Sequence, residues 1–237
     1  MLTKYTATTV GRDKLYRLIQ YLSKFLAHRL LTLDAKANKD TIDKLTKLVK
    51  HLSLSRKLMR IGRPLEYAQN LLTNVPATKD PVIRYCLIGK NMLLTVWMGY
   101  DFLAWAQGVG LWKSTDAKRM QERTNRFWFA GLACGLVSTV YQIHVNMSKY
   151  VRFACVRLLS LSRFRSMLST HLLTYPRSVY STRSKLLRQI FQELLDILVP
   201  AKGLGYHSLS DGVIGLTGAL TSAMGAQAQW NKVHGGK

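Results

Sequence analysis

The sequence feature that most constrains this chain is a basic, amphipathic stretch between Lys44 and Gln69. Within it and just beyond it, apolar side chains recur at steps of three or four residues, the spacing of one face of an α-helix. These side chains are Leu54, Leu58, Ile61, Leu65, Ala68 and Leu72. From Lys44 to Leu65 the chain holds seven Lys or Arg and no acid. Such a helix suits a surface that is both apolar and anionic, as the cytosolic face of a membrane is.

The two faces of this predicted membrane-binding helix, about residues 44–74, have different expected contacts. The apolar face is expected to enter lipid through Leu54, Leu58, Ile61, Leu65 and Leu72. The basic face is expected to meet anionic headgroups through Lys47, Lys50, Arg56, Lys57, Arg60 and Arg63. The alternative is that the apolar stripe is a tertiary contact hidden by folding. Pro64 lies inside the segment and predicts a kink there, because proline removes one backbone hydrogen bond.

The charge of the whole chain limits the class of partner. The 237 residues include 35 Lys or Arg and 12 Asp or Glu, a formal net charge of +23. This excess predicts a polyanionic partner, either nucleic acid or lipid headgroups. Hydrophobic residues make up 48% of the chain, and long apolar runs interrupt the charge. We therefore predict an anionic phospholipid membrane as partner and no nucleic acid.

Two uncharged segments of 19 residues are candidate transmembrane helices, at 127–145 and 212–230. A helix of that length spans roughly 29 Å, about one hydrocarbon core. A buried core helix is the alternative for the first segment, and the small residues of the second favour helix packing over insertion. Small residues four apart predict close helix–helix contacts in both segments, at Gly131 and Gly135 and at Gly215, Gly218, Ala219 and Ser222.

The expected fold class is an all-α integral membrane protein. Amphipathic helices fill residues 1–126, beginning with a helix over about 10–31 that Thr8 or Thr9 caps. Residues 84–112 are expected to form an apolar helix that packs on other helices or lies at the membrane interface, because Asp101 is costly in a span; a membrane span is the alternative. A charged link covers 113–126. A basic connecting loop with amphipathic helices covers 146–211, with a helix ending at Pro200, and 231–237 is a tail.

No spacing in the sequence points to catalysis or to a bound cofactor or metal. The six histidines and three cysteines lack the spacing of zinc ligands. No nucleophile–base pair can be argued from the sequence, so the chain is not expected to be an enzyme.

Four blocks, in order, resemble the fungal peroxin-11 family of peroxisome-proliferation membrane proteins. They are Val10-Gly-Arg-Asp-Lys-Leu-Tyr-Arg-Leu-Ile-Gln-Tyr-Leu22, Ser55-Arg-Lys-Leu-Met-Arg-Ile-Gly-Arg-Pro-Leu-Glu-Tyr67, Gly99-Tyr-Asp-Phe-Leu103, and Gly203-Leu-Gly-Tyr206 through Gly218-Ala-Leu-Thr-Ser-Ala-Met-Gly225 to Trp230. The resemblance spans nearly the whole length. The segment after Val145 departs from the family in being unusually basic.

The resemblance implies an integral protein of the peroxisomal membrane whose N-terminal region lies in the cytosol. It implies elongation of the membrane before division, self-association into a homo-oligomer, and partnership with a dynamin-related GTPase and fission-adaptor proteins. The membrane-remodelling helix of the family corresponds to about residues 47–74. A membrane channel for small metabolites is the alternative, to which the polar residues Asp101, Gln142 and His144 in apolar segments point.

Overall fold

The computed structural model describes residues 2–112, 116–160 and 169–235, and every regular element within them is an α-helix. The expected all-α fold class is thereby confirmed. The helices are α1 (Leu2–Ala7), α2 (Thr9–Leu33), α3 (Lys39–Met59), α4 (Arg63–Thr73), α5 (Pro81–Gly108), α6 (Ala117–Ser160), α7 (Ser169–Gly203) and α8 (Asp211–His234).

Six of these helices close a ring of neighbours. Helix α2 packs on α8 and on α3, α3 touches α5, α5 packs on α6, α6 on α7, and α7 returns to α8. Helix α4 lies against α5, and the short α1 lies against α2 and α8. The ring encloses the polar interior described in the next subsection.

Local capping chemistry explains where two of the helices begin. Thr8 precedes α2, and its hydroxyl accepts a hydrogen bond from the Gly11 amide at 3.0 Å. Asp80 precedes α5 and accepts from the amides of Val82 and Ile83. In both cases the side chain serves amides that have no intrahelical partner. The cap predicted at Thr8 is therefore present.

The predicted helix over 44–74 is divided in two, and Pro64 does not kink a continuous helix. Helix α3 ends at Met59, residues 60–62 form a turn, and α4 starts at Arg63 with Pro64 in its first turn. The Arg60 and Ile61 amides bond to carbonyls three residues back, at 3.2 Å each. Proline is well placed in a first turn because the amide it lacks has no partner there. Gly62 and Pro64 together thus start a new helix.

One segment expected to be a link is largely helical, and the connection expected to contain amphipathic helices does contain helices. The expected link over 113–126 is helical from Ala117, where α6 starts. The expected loop over 146–211 contains the end of α6 and all of α7, and its residues 161–168 lie outside the described residues. The expectation that Pro200 ends its helix is wrong: α7 continues to Gly203. Pro200 is fully buried there, so tertiary packing outweighs its local preference.

Among the described residues, one helical stretch is long and apolar enough to cross a membrane, Ala117–Ser148 within α6. It contains the first predicted span, residues 127–145. The second predicted span lies in α8, which is heavily buried against α2 and does not reach the same apolarity. A transmembrane placement of 212–230 stays a prediction.

Burial on α2 is inverted relative to a water-soluble bundle. Asp13 and Arg17 are buried, whereas Ile19, Leu22 and Leu26 are between 41% and 49% exposed. A soluble protein normally buries its large aliphatic side chains and keeps its charges in water. Apolar surface outside and ion pairs inside is the arrangement expected of a chain surrounded by lipid.

Candidate functional site

The outer face of α3 and α4 is an exposed apolar stripe. Leu58 and Ile61 are 49% and 42% exposed, and Leu65 and Leu72 are 75% and 79% exposed. Leu54 differs, because it is half-buried against Gly108 of α5. Four of the five apolar residues predicted to enter lipid thus lie on the surface. We call Leu58, Ile61, Leu65 and Leu72 the apolar stripe.

The basic residues of the same two helices divide into an exposed and a buried group. Lys47 and Lys50, in the middle of α3, are exposed. Arg56, at the end of α3, is 7% exposed and points into the bundle. Its Nε lies 3.0 Å from Asp13 Oδ1, and its Nη1 donates to Gln20 Oε1 at 2.7 Å. Arg63 Nη2 approaches the other oxygen of Asp13 at 3.7 Å.

Asp101 of α5 receives the remaining two basic side chains of this face. Arg60 Nη2 lies 2.8 Å from Asp101 Oδ2, and Lys57 Nζ lies 3.8 Å from Oδ1. The Arg60 guanidinium also lies 5.6 Å from the ring centre of Trp97, a cation–π distance. The four cations from Arg56 to Arg63 therefore tie α3 and α4 to carboxylates of α2 and α5.

Burial and charge compete at these ion pairs. Burial alone would raise the pKa of Asp13, but Arg56, Arg60 and Arg63 outweigh it and hold that pKa below its ordinary value. Burial, followed by the charge of Arg60, lowers the pKa of Arg56 to about 10. Both groups stay ionised at neutral pH. Removing one member of such a buried pair leaves the other as an uncompensated charge.

A third buried ion pair joins α2 to α7. Arg17 contacts Asp196, and its Nη2 also donates to the Thr221 hydroxyl of α8 at 3.3 Å. The Arg17 guanidinium lies 5.5 Å from the ring centre of Tyr21. One arginine thus links three helices of the ring.

A separate polar cluster lies where α5, α6 and α7 meet. Glu193 of α7 is 8% exposed and pairs with Lys90 of α5 at 3.0 Å. Its other oxygen accepts from the Thr139 hydroxyl of α6 at 3.0 Å, and Gln189 donates to both Glu193 and Thr139 at 3.1 Å. We call these four residues the Glu193 cluster.

The predicted packing glycines lie at contacts within the chain. Gly131 of α6 faces Leu94 of α5, and Gly135 faces Lys90. A Cβ on Gly215 would come within 2.7 Å of the Phe25 amide nitrogen of α2, so only glycine allows this approach. Among the other small residues of α8, Gly218 faces the Tyr21 ring, and Ala219 and Ser222 are buried.

Sequence reasoning missed the three carboxylates Asp13, Asp101 and Asp196 as partners of the basic residues. The available signal was the imbalance itself, because a basic run without acids must find its counter-ions elsewhere if it is buried. Asp101 is also the single acid in the apolar segment 84–112. In the part of the chain that the structure describes, no group of three or more His, Cys, Asp or Glu could hold a metal ion.

The chain is similar to a family of known proteins over almost its whole length. The family model described as Peroxisomal biogenesis factor 11 (PEX11) matches residues 1–230. The chain is similar to Peroxisomal membrane protein 11A of Homo sapiens, at 29% identity over 94% of this chain and 93% of that protein. It is similar to PMP30B of Candida boidinii, at 24% identity over 97% and 93%. It is also similar to PMP27 of Saccharomyces cerevisiae, at 25% identity over 96% and 92%. No solved structure matches the chain.

Proposed function

The chain belongs to the peroxisomal biogenesis factor 11 family of peroxisomal membrane proteins, and from that premise we propose that it elongates the peroxisomal membrane by inserting the apolar stripe of α3 and α4 into one leaflet. The observation that carries the proposal is the exposure of Leu65 and Leu72, at 75% and 79%. Aliphatic side chains exposed in this way on an amphipathic helix are well suited to the apolar part of a membrane interface.

The energetics of insertion come mainly from the apolar stripe. Half-burying each leucine or isoleucine in lipid contributes about 1 kcal/mol. Lys47 and Lys50 are free to reach anionic headgroups, and each contributes about 1 kcal/mol near an anionic surface. Arg56, Lys57, Arg60 and Arg63 are engaged with Asp13 and Asp101 inside the bundle. In this conformation they position α3 and α4, and contact lipid only if those helices leave the bundle.

Curvature follows from the asymmetry of this insertion. A helix wedged among the headgroups of one leaflet expands that leaflet relative to the other. Many copies side by side would bend the membrane, which is why self-association into a homo-oligomer belongs to the proposal. The N-terminal region with α3 and α4 would lie in the cytosol, where a dynamin-related GTPase and fission-adaptor proteins could act on the elongated membrane. The activity is physical remodelling and needs no catalytic residue.

The test is to express the full-length chain in cells lacking their own copy and to score peroxisome number and length. Leu65→Asp combined with Leu72→Asp should abolish elongation. The two carboxylates are costly to move into the apolar part of the leaflet, and anionic headgroups repel them. Leu65→Phe combined with Leu72→Phe is the matched control and should retain elongation. Elongation that survives the aspartate pair, at equal protein level and peroxisomal location, would refute the proposal.

A metabolite channel remains the second candidate because the helix ring encloses charged residues. Asp101 lines the cavity between these helices, whereas Gln142 bonds to Ser138 within α6 and His144 is exposed. Conductance measured across a planar bilayer containing the purified chain tests this candidate. A conductance that falls with Asp101→Ala favours the channel, and silent bilayers count against it.

A further inference from the structure

Side chains of α2 to α7 line a cavity of about 320 Å³ that is partly open to solvent. This volume falls at the lower end of the range of small-molecule sites. Its apolar wall includes the indoles of Trp97 and Trp128, which stack with ring centres 4.9 Å apart. The remaining wall is dominated by ionised side chains.

The charges around this cavity do not balance. Three carboxylates line it, those of Asp13, Asp101 and Asp196. Six cationic side chains line it as well, namely Lys14, Arg17, Arg56, Lys57, Arg60 and Arg63. The described lining therefore carries three positive charges in excess. Buried charges are normally matched by partners, because an unmatched ion in a low-dielectric interior is costly.

Lys14 shows the imbalance most directly. Among the described residues it makes no ion pair, whereas each of the other five cations lies within 4 Å of a carboxylate oxygen. Burial, with the neighbouring charges of Arg17 and Arg63, lowers the pKa of Lys14 to about 8. The Lys14 Nζ packs beside Gly225 of α8, 3.1 Å from where a Cβ would stand there, and an ammonium without an ion pair next to guanidinium groups would favour a nearby anion.

We propose that this cavity binds a phosphate group carried by a small molecule or by a lipid. A phosphate monoester brings close to two negative charges, which offset most of the excess of three, while a carboxylate brings one. Guanidinium groups donate in pairs to phosphate oxygens, and an ammonium adds a point charge. The indole wall would contact the apolar part of the molecule that carries the phosphate. This inference does not depend on insertion of the apolar stripe.

Calorimetric titration of the purified full-length chain in neutral detergent micelles tests the site. The probes are inorganic phosphate, glycerol 3-phosphate and short-chain phosphatidic acid, with sodium chloride at matched ionic strength as the blank. Lys14→Met removes the unpaired cation. Lys39→Met is the matched control, because it removes the same charge from an exposed position at the start of α3 that has no part in headgroup binding. Arg63→Gln is a second cavity variant, used if Lys14→Met does not fold.

The expected result is saturable binding of at least one phosphate probe, weakened about tenfold by Lys14→Met and unchanged by Lys39→Met. Binding of glycerol 3-phosphate would identify a soluble phosphate ester as the ligand class. Binding of phosphatidic acid alone would identify a lipid headgroup. Absence of binding by all three probes would overturn the proposal. So would binding that Lys14→Met and Lys39→Met weaken equally, since that would be general attraction to a basic surface.

Discussion

Two buried polar regions of the same bundle differ in their balance of positive and negative charge. In the Glu193 cluster one carboxylate faces one ammonium, and a hydroxyl and an amide complete the hydrogen bonds. In the cavity between α2 and α7, three carboxylates face six cations. The first region is neutral, while the second keeps a positive excess.

This difference separates a structural contact from a site that can take a ligand. A neutral, hydrogen-bonded cluster such as that of Glu193 stabilises helix packing and leaves nothing for a further ion. An excess of positive charge destabilises the unliganded protein, and a bound anion reduces that destabilisation. We therefore expect loss of a carboxylate and a change of pH to alter the stability of the fold differently in the two regions.

The largest effect is expected for Asp13→Asn. The variant leaves Arg56 and Arg63 without their carboxylate in a region that already has excess positive charge. Removing one partner of a buried ion pair costs about 3–5 kcal/mol. For a chain of this size, the melting temperature followed by tryptophan fluorescence in detergent should fall by about 10 °C.

Asp40→Asn is the matched control for Asp13→Asn. Asp40 pairs with Lys44 at 2.6 Å on the surface, where both side chains are more than 70% exposed. An exposed pair of this kind contributes less than about 1 kcal/mol. Equal melting temperatures for the two variants would mean that the Asp13 pairs are as weak as surface pairs.

A smaller loss is expected for Glu193→Gln. The amide retains an oxygen that accepts from Thr139, so the hydrogen bond between α6 and α7 survives. Lys90 loses its carboxylate, but its side chain is 25% exposed and can be hydrated. We expect a cost of about 2 kcal/mol, measured in the same melting assay. If Glu193→Gln lowered the melting temperature more than Asp13→Asn does, the Glu193 cluster, and not the cavity, would depend more strongly on its carboxylate.

The sequence predicts the local features of this fold well and its tertiary pairing poorly. The start of α2 at Thr8 follows from one hydroxyl and the next three residues, and the apolar periodicity of 44–74 follows from spacing alone. The division at 60–62 was missed because Pro64 is compatible either with a kink or with a first turn. The helical conformation around Pro200 was missed because burial in the tertiary fold decides it.

At the candidate site, too, the sequence predicts the local pattern but not the tertiary contacts. Periodicity correctly separates the apolar stripe from the basic residues Arg56, Arg60 and Arg63. It cannot say which face turns outward, because that choice depends on whether water or lipid surrounds the bundle. The pairing of Arg56 with Asp13 joins residues 43 positions apart, and no local pattern encodes it.

The smallest expected effect is a dependence of stability on pH that arises from Lys14. The charged groups that influence it are Asp13 and Arg17 on its own helix, Arg63 on α4 and Asp196 on α7. Its pKa is about 8 in the folded chain and 10.5 ordinarily, so between these values the unfolded chain binds more protons. Stability from this group therefore rises with pH across that window. After solvent screening we expect a gain of about 1 kcal/mol between pH 7.5 and pH 10.

Lys14 is not the only group with a lowered pKa, since burial also lowers the pKa of Lys57. The contribution of Lys14 is therefore the difference between the wild-type chain and Lys14→Met, melted at each pH in phosphate-free buffer. A difference that stays constant with pH would mean that Lys14 has an ordinary pKa and is not under repulsion. Saturating phosphate should also flatten the difference, because an anion beside the ammonium raises its pKa and restores its proton. If phosphate leaves the pH dependence of this stability difference unchanged, the bound anion does not lie beside Lys14. That result would contradict binding of phosphate at the cation that has no ion pair.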